Sequence, residues 1–151
     1  GSKLKLYPYT IKKGVNIYGI IFGAKHPRAV DKFLKIAWNK NSINGEANFD
    51  INNEANNGQI DIFGNTKENK IDKFKKKLLE KIISKEISNN FEVLYFCHDE
   101  GHIGKHAADC LRELKKKKII FYNGKSPLVT YENVYKNKKQ INYQILKNEK
   151  I

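Results

Sequence analysis

The chain has no methionine, only three prolines and two cysteines among its 151 residues, and no apolar run approaching a membrane span or the core of a signal peptide. Each shortage excludes something. A sequence without a start methionine, opening on Gly1-Ser2 ahead of an apolar-alternating run, reads as a piece of a longer protein, with Gly1 and Ser2 a scar outside the fold. Two cysteines with no secretory signal cannot build a disulfide framework, so the thiols are expected to be reduced and the protein cytoplasmic, with no membrane contact. Arginine is scarce too, supplying two of the 29 basic residues. Lysine, asparagine and isoleucine abound together, as AT-rich codons dictate, so part of the net charge of +13 reflects composition rather than function. The charge is also spread out: residues 1–66, 67–118 and 119–151 carry +4, +5 and +4. Such a field attracts polyanions, which makes nucleic acid a plausible partner without establishing it.

The residues that are present point to one domain, or a small domain with an appendage, long enough to bury a core. Leu4, Leu6, Tyr9 and Ile11 alternate roughly, Lys12-Lys13-Gly14 supplies a turn, and VNIYGIIFG (15–23) is β-rich, predicting a hairpin whose second strand is largely buried. His26-Pro27 opens a helix, proline standing where a missing N–H costs nothing, and Val30, Phe33, Leu34, Ala37 and Trp38 share one face. Residues 39–66 lose all periodicity and read as a long Asn/Gly-rich solvated loop, docked at apolar knots around Phe49 and Ile51 and around Ile60, Ile62 and Phe63. From Lys67 a helical stripe returns in Ile71, Phe74, Leu78, Ile82 and Ile83, and Ser88-Asn89-Asn90 stops it and caps the next segment. Phe91–Cys97 suits a strand or a short buried helix. His102 to Lys118 is the most legible helix, ending in a lysine run that favours its C-terminal dipole. Ile119–Tyr122, Asn123-Gly124 and Leu128–Tyr131 read as a second hairpin.

Helix, short helix, helix and hairpin is the order of a winged helix-turn-helix, with the third helix for recognition and the hairpin as wing. The expected fold is therefore α+β: an N-terminal β-hairpin plus helix and long loop over 3–66, then a winged helix-turn-helix with a C-terminal extension over 67–151.

The stretch FCHDEGHIGKHAADCLRELKKKKII (96–120) holds both cysteines and three of the four histidines. Cys97, His102, His106 and Cys110 are its candidate zinc ligands, but the spacings match no standard finger or ribbon. A helical wheel places Ile103, Ala107, Cys110, Leu111 and Leu114 in one arc, so Cys110 reads as a small core residue. An inward thiol lacks the exposure and neighbouring base that catalysis needs. On the opposite face lie Lys105, Ala108, Arg112 and Lys116, with Lys115 beside them and His102 at the N-terminal end. Arginine there suits a guanine contact and lysine suits phosphate. The candidate nucleic-acid-binding set is His102, Lys105, Arg112, Lys115 and Lys116, with Lys125 on the wing. The competing reading is the solvated basic face of an ordinary helix.

The runs YGIIFGAKHPRAVDKFLKIAW, QIDIFG and GHIGKHAADCLRELKKKKII resemble the C-terminal region of three-Cys-motif partner proteins, a family tied to mobile elements and phage-related gene neighbourhoods. The matching positions are Phe22, His26, Pro27, Trp38, Gln59, Phe63, Lys105, His106, Leu111, Leu114 and Ile119. The resemblance implies a methyltransferase-like or nuclease-like part ahead of a winged helix, and a protein partner encoded nearby. The middle loop and the tail 132–151 depart from it. No cofactor-binding glycine loop or acidic catalytic set stands in these residues, so no cofactor and no chemistry are expected of them. The expectation is a module that binds duplex DNA; the alternatives are a protein-interaction module and a small zinc domain.

Overall fold

The computed structural model describes residues 3–50 and 68–146, which divide into two compact units, Gly1–Phe74 and Lys75–Ile151.

The first unit opens with the expected hairpin. Strands β1 (Lys5–Lys13) and β2 (Asn16–Ala24) pair antiparallel, with Tyr7 opposite Phe22 and Tyr9 opposite Ile20. Helix α1 (Pro27–Lys40) follows directly. Its N-cap is His26, whose Nδ1 accepts from Arg28 N at 3.2 Å, and Pro27 takes the first helical position. Val30, Leu34, Ala37 and Trp38 are buried as the periodicity predicts. Phe33 of α1 stacks on Phe22 with centroids 4.2 Å apart and planes 4° from parallel, and Tyr7 and Tyr9 close around it.

One expectation fails here. Among the described residues β2 is largely exposed, including Ile17, Tyr18, Ile20 and Ile21. The reason is geometric: β2 runs straight into α1, so the helix meets the strand around Phe22 and leaves the rest of it uncovered. An apolar composition signals a capacity for burial, but the covering element decides how much is used.

The loop after α1 is docked by asparagines rather than by apolar anchors alone. Thr10 N donates to Glu46 O at 2.8 Å and Asn48 N to Thr10 O at 3.0 Å, a short strand-like contact along β1. The Asn48 side chain continues it, accepting from Lys12 N at 2.7 Å and donating to Lys12 O at 3.0 Å. Asn41 donates to Phe49 O, and Asn44 is fully buried. A side-chain amide carries the same donor and acceptor as a peptide, so an Asn-rich segment can complete an edge without being a strand. Gln59 and the second apolar knot, Ile60, Ile62 and Phe63, lie outside the described residues.

The second unit holds most of helix α2 (Lys70–Ile83), within which the division falls, then α3 (Asn90–Asp99) and α4 (Gly104–Lys116). The ambiguous 91–97 segment is helical. Its cap decides this: Asn89 Oδ1 accepts from the N–H groups of Phe91 and Glu92, and the Glu92 carboxylate accepts in turn from Ser88 N at 2.7 Å. That reciprocal arrangement satisfies donors a helix start leaves open. The bond from Ser88 N holds the Glu92 carboxyl below its ordinary range. Leu78, Ile82, Val93, Leu94, Cys97, Ala107 and Leu111 build the core.

The wing differs from its expected form. Strand β3 (Ile120–Phe121) pairs antiparallel with β4 (Gln144–Ile145), not with residues 128–131. Asn142 adds a bridge to Asn89, so the α2–α3 connection, the C-terminal segment and β3 lie side by side. Asn123-Gly124 does turn, but Pro127 follows and Leu128 adopts φ 52°, and neither suits a returning strand. The chain instead makes a π-helix over Glu132–Lys136 before coming back. The tail is thus part of the fold as far as Leu146. Asn90, fully buried, ties it down: its Nδ2 donates to Leu128 O and Lys139 O, and its Oδ1 accepts from Ile141 N at 2.9 Å.

Candidate nucleic-acid interface

Helix α4 is positioned by its apolar arc. Ala107, Cys110, Leu111 and Leu114 are buried, and Gly104 at the start packs so closely that a Cβ there would overlap the Val129 carbonyl oxygen. The helix begins two residues later than its sequence limits suggest. Gly101 turns at φ 70°, and Ile103 stands as an extended N-cap with no side-chain cap bond.

The opposite face carries Lys105, Asp109, Arg112 and Lys116, spaced i, i+4, i+7 and i+11, which keeps them in one stripe. Lys105 and Arg112 are well exposed, their side chains at 76% and 52%. Neither is free of partners. Arg112 Nη1 donates to Asp109 Oδ1 at 2.8 Å and Lys105 Nζ to Asp109 Oδ2 at 3.4 Å, so one carboxylate holds both. Lys116 is exposed and pairs with no acid among the described residues; Lys125 is exposed in the turn after β3. Asp109 is legible in the sequence by its spacing from both cations, and a reading for cations alone passes over it.

Three residues of the expected set or face sit elsewhere. Ala108 is buried rather than on the groove side. His102 is 2% exposed, because the turn at Gly101 directs it inward before the helix starts. Its Nδ1 lies 3.0 Å from His106 Nδ1, and its backbone N–H donates to Cys97 O at 2.7 Å, so it cannot reach a ligand on the outer face. Lys115 bends away from the stripe. Its ammonium donates to Tyr122 O at 2.8 Å and Gly124 O at 2.7 Å and lies 4.1 Å from the Tyr122 ring centroid. It fastens the turn after β3 to the end of α4, a structural task.

The cysteine–histidine concentration resolves into core packing. Cys97 and Cys110 are buried free thiols; burial pushes the Cys110 thiol up to about 11 and the Cys97 thiol higher still. Both are therefore protonated near neutrality, which does not suit a nucleophile. Among the described residues no group of three or more His, Cys, Asp or Glu side chains is placed to hold a metal ion. No helix among them is long and apolar enough to cross a membrane.

Three helices, the third bearing an exposed cationic stripe, followed by a small antiparallel sheet with a long excursion between its strands, form a winged helix-turn-helix. Comparison with curated proteins and with solved structures finds no match. A family model does match, over residues 48–126, just over half of the chain, from the loop after α1 to the turn beyond β3. The chain belongs to the family of the GMT-like wHTH domain.

Proposed function

We propose that the protein binds duplex DNA through α4, with Lys105, Arg112 and Lys116 on the groove face and Lys125 on the backbone beside it. The observation that carries this is the exposed stripe on the third helix of a winged helix-turn-helix, the element that enters the major groove in such folds. The binding is electrostatic docking with limited base readout by one helix, and involves no chemistry. Arg112 carries the planar fork that matches guanine, and the lysines supply phosphate contacts. His102 and Lys115 take no part, being held inside the unit and at its turn.

The test is duplex affinity of the whole chain. Arg112→Ala combined with Lys105→Ala weakens binding by at least about tenfold at about 150 mM salt, where phosphate contacts still count. An affinity that is unchanged, or insensitive to salt in the parent protein, overturns the proposal.

A second reading, a protein-interaction module docking a partner encoded nearby, is favoured by one feature of the second unit. Ile87, Phe91, Tyr95, Phe96, Val134 and Tyr135 line an apolar groove between α3 and the π-helix, with Tyr95 nearly half exposed. Retention on immobilised duplex across a salt gradient favours the first reading, and co-purification with the product of a neighbouring gene favours the second.

A further inference from the structure

The stripe that carries the cations has an acid at its centre. Asp109 lies one turn after Lys105 and one turn before Arg112, 41% exposed at its side chain, with one carboxylate oxygen on each cation. Among the described residues its carboxylate caps no backbone group and accepts from these two cations.

For a helix that met only phosphates, this placement would be a handicap. A carboxylate repels the phosphate it approaches and holds two of the three stripe cations in internal pairs. Exposed pairs at helical spacing contribute little to helix stability, too little to account for the acid. An acid on a groove-facing stripe gains energy only from a hydrogen-bond donor, and a phosphate offers none. Base edges do: the cytosine N4 amino group in the major groove is the donor a carboxylate accepts from.

We infer, resting on the duplex-binding reading above, that Asp109 sets selectivity: it accepts from cytosine N4 at its target, and elsewhere it neutralises Lys105 and Arg112 so that unselected duplex is held weakly. The same carboxylate orients Arg112 through Nη1 and leaves the remaining guanidinium donors for a neighbouring guanine. Lys116, which forms no ion pair among the described residues, provides the sequence-independent contact.

The experiment uses the whole chain and a random-sequence duplex pool, from which the parent protein first enriches its preferred sites. Asp109→Asn and Asp109→Ala are then compared with the parent on unselected and enriched duplex. Both variants are expected to bind unselected duplex at least about threefold tighter at about 150 mM salt, with a log–log salt slope steeper by about one. Both are also expected to lose a cytosine preference that the parent shows. Unselected affinity that is equal or lower, or an unaltered sequence preference, overturns the inference. If Lys105→Ala with Arg112→Ala leaves parent affinity intact, the duplex reading itself falls. A parent that binds through the stripe, beside Asp109 variants that behave like it, removes only the role of Asp109.

Discussion

Gly104 and Asn90 show how single positions hold the second unit together. In an exposed helix interior, alanine is favoured over glycine by about 1 kcal/mol, so propensity alone predicts that Gly104→Ala stabilises the protein. Packing predicts the reverse, since the new methyl group would overlap the Val129 carbonyl oxygen and Leu94 stands close by. Overpacking of this kind costs about 1–3 kcal/mol, and here the obstacle is backbone rather than a side chain that can swing aside. A net loss of at least about 1 kcal/mol is expected, read as a lower urea midpoint with an unchanged slope. Unaltered stability would mean that the Val129 segment gives way at little cost. Neither this contact nor the triple clamp by Asn90 is legible in the sequence. A glycine at a helix start and an asparagine beside two others carry no mark of partners far along the chain, such as Val129 and Ile141, whereas the caps by His26 and Asn89 are local and can be read.

Helices are the most legible elements because one apolar period fixes both their type and their buried face. Leu34, Leu78, Leu111 and Leu114 are where the 3.6-residue spacing puts them. The exposed face of α4 is less legible, because a wheel gives direction and not partner. The angle of Lys115 points to the groove, but its long stem lets the ammonium fold back onto the Tyr122 and Gly124 carbonyls. The wing departs from expectation for a related reason: Asn-Gly announces a turn but not which strand returns to it. A pair of substitutions separates the two roles within α4. Lys115→Ala is expected to cost about 1.5–3 kcal/mol by removing two bonds from a charged donor, while changing duplex affinity less than about twofold. Lys116→Ala is expected to leave stability within about 0.5 kcal/mol and to lower affinity. Chemical denaturation alongside duplex titration checks both, and a reversed pattern would return Lys115 to the interface.

For the molecule as a whole, the charge of +13 opposes its own compactness. The ion pairs among the described residues, such as Lys77–Glu100 at 2.7 Å and Lys81–Glu86 at 2.6 Å, are largely solvent-facing and individually weak. Raising chloride salt from about 10 to about 150 mM shortens the Debye length from about 30 to about 8 Å. Repulsion spread over the whole surface is screened more than contact pairs are, so Tm is expected to rise by a few degrees over that range. A fall in a calorimetric scan would show that the surface pairs outweigh the repulsion. The charge is plain in the sequence, but its distribution over faces is not, since it depends on which lysines end at a carboxylate or a carbonyl. The pairing of β3 with β4 bears finally on when the unit can fold. Ile120 and Tyr122 are almost completely buried, yet the strand beside them and the Tyr143 ring that meets Tyr122 emerge much later in synthesis. Closing so long a loop has an entropic cost that local helices escape, and non-local pairing of this kind slows folding. The three helices are built from local contacts, but a product cut short after the π-helix lacks β4 and Tyr143 and uncovers the faces of Ile120 and Tyr122 that they meet. Apolar surface uncovered in this way, with an unpaired strand edge at β3, favours aggregation.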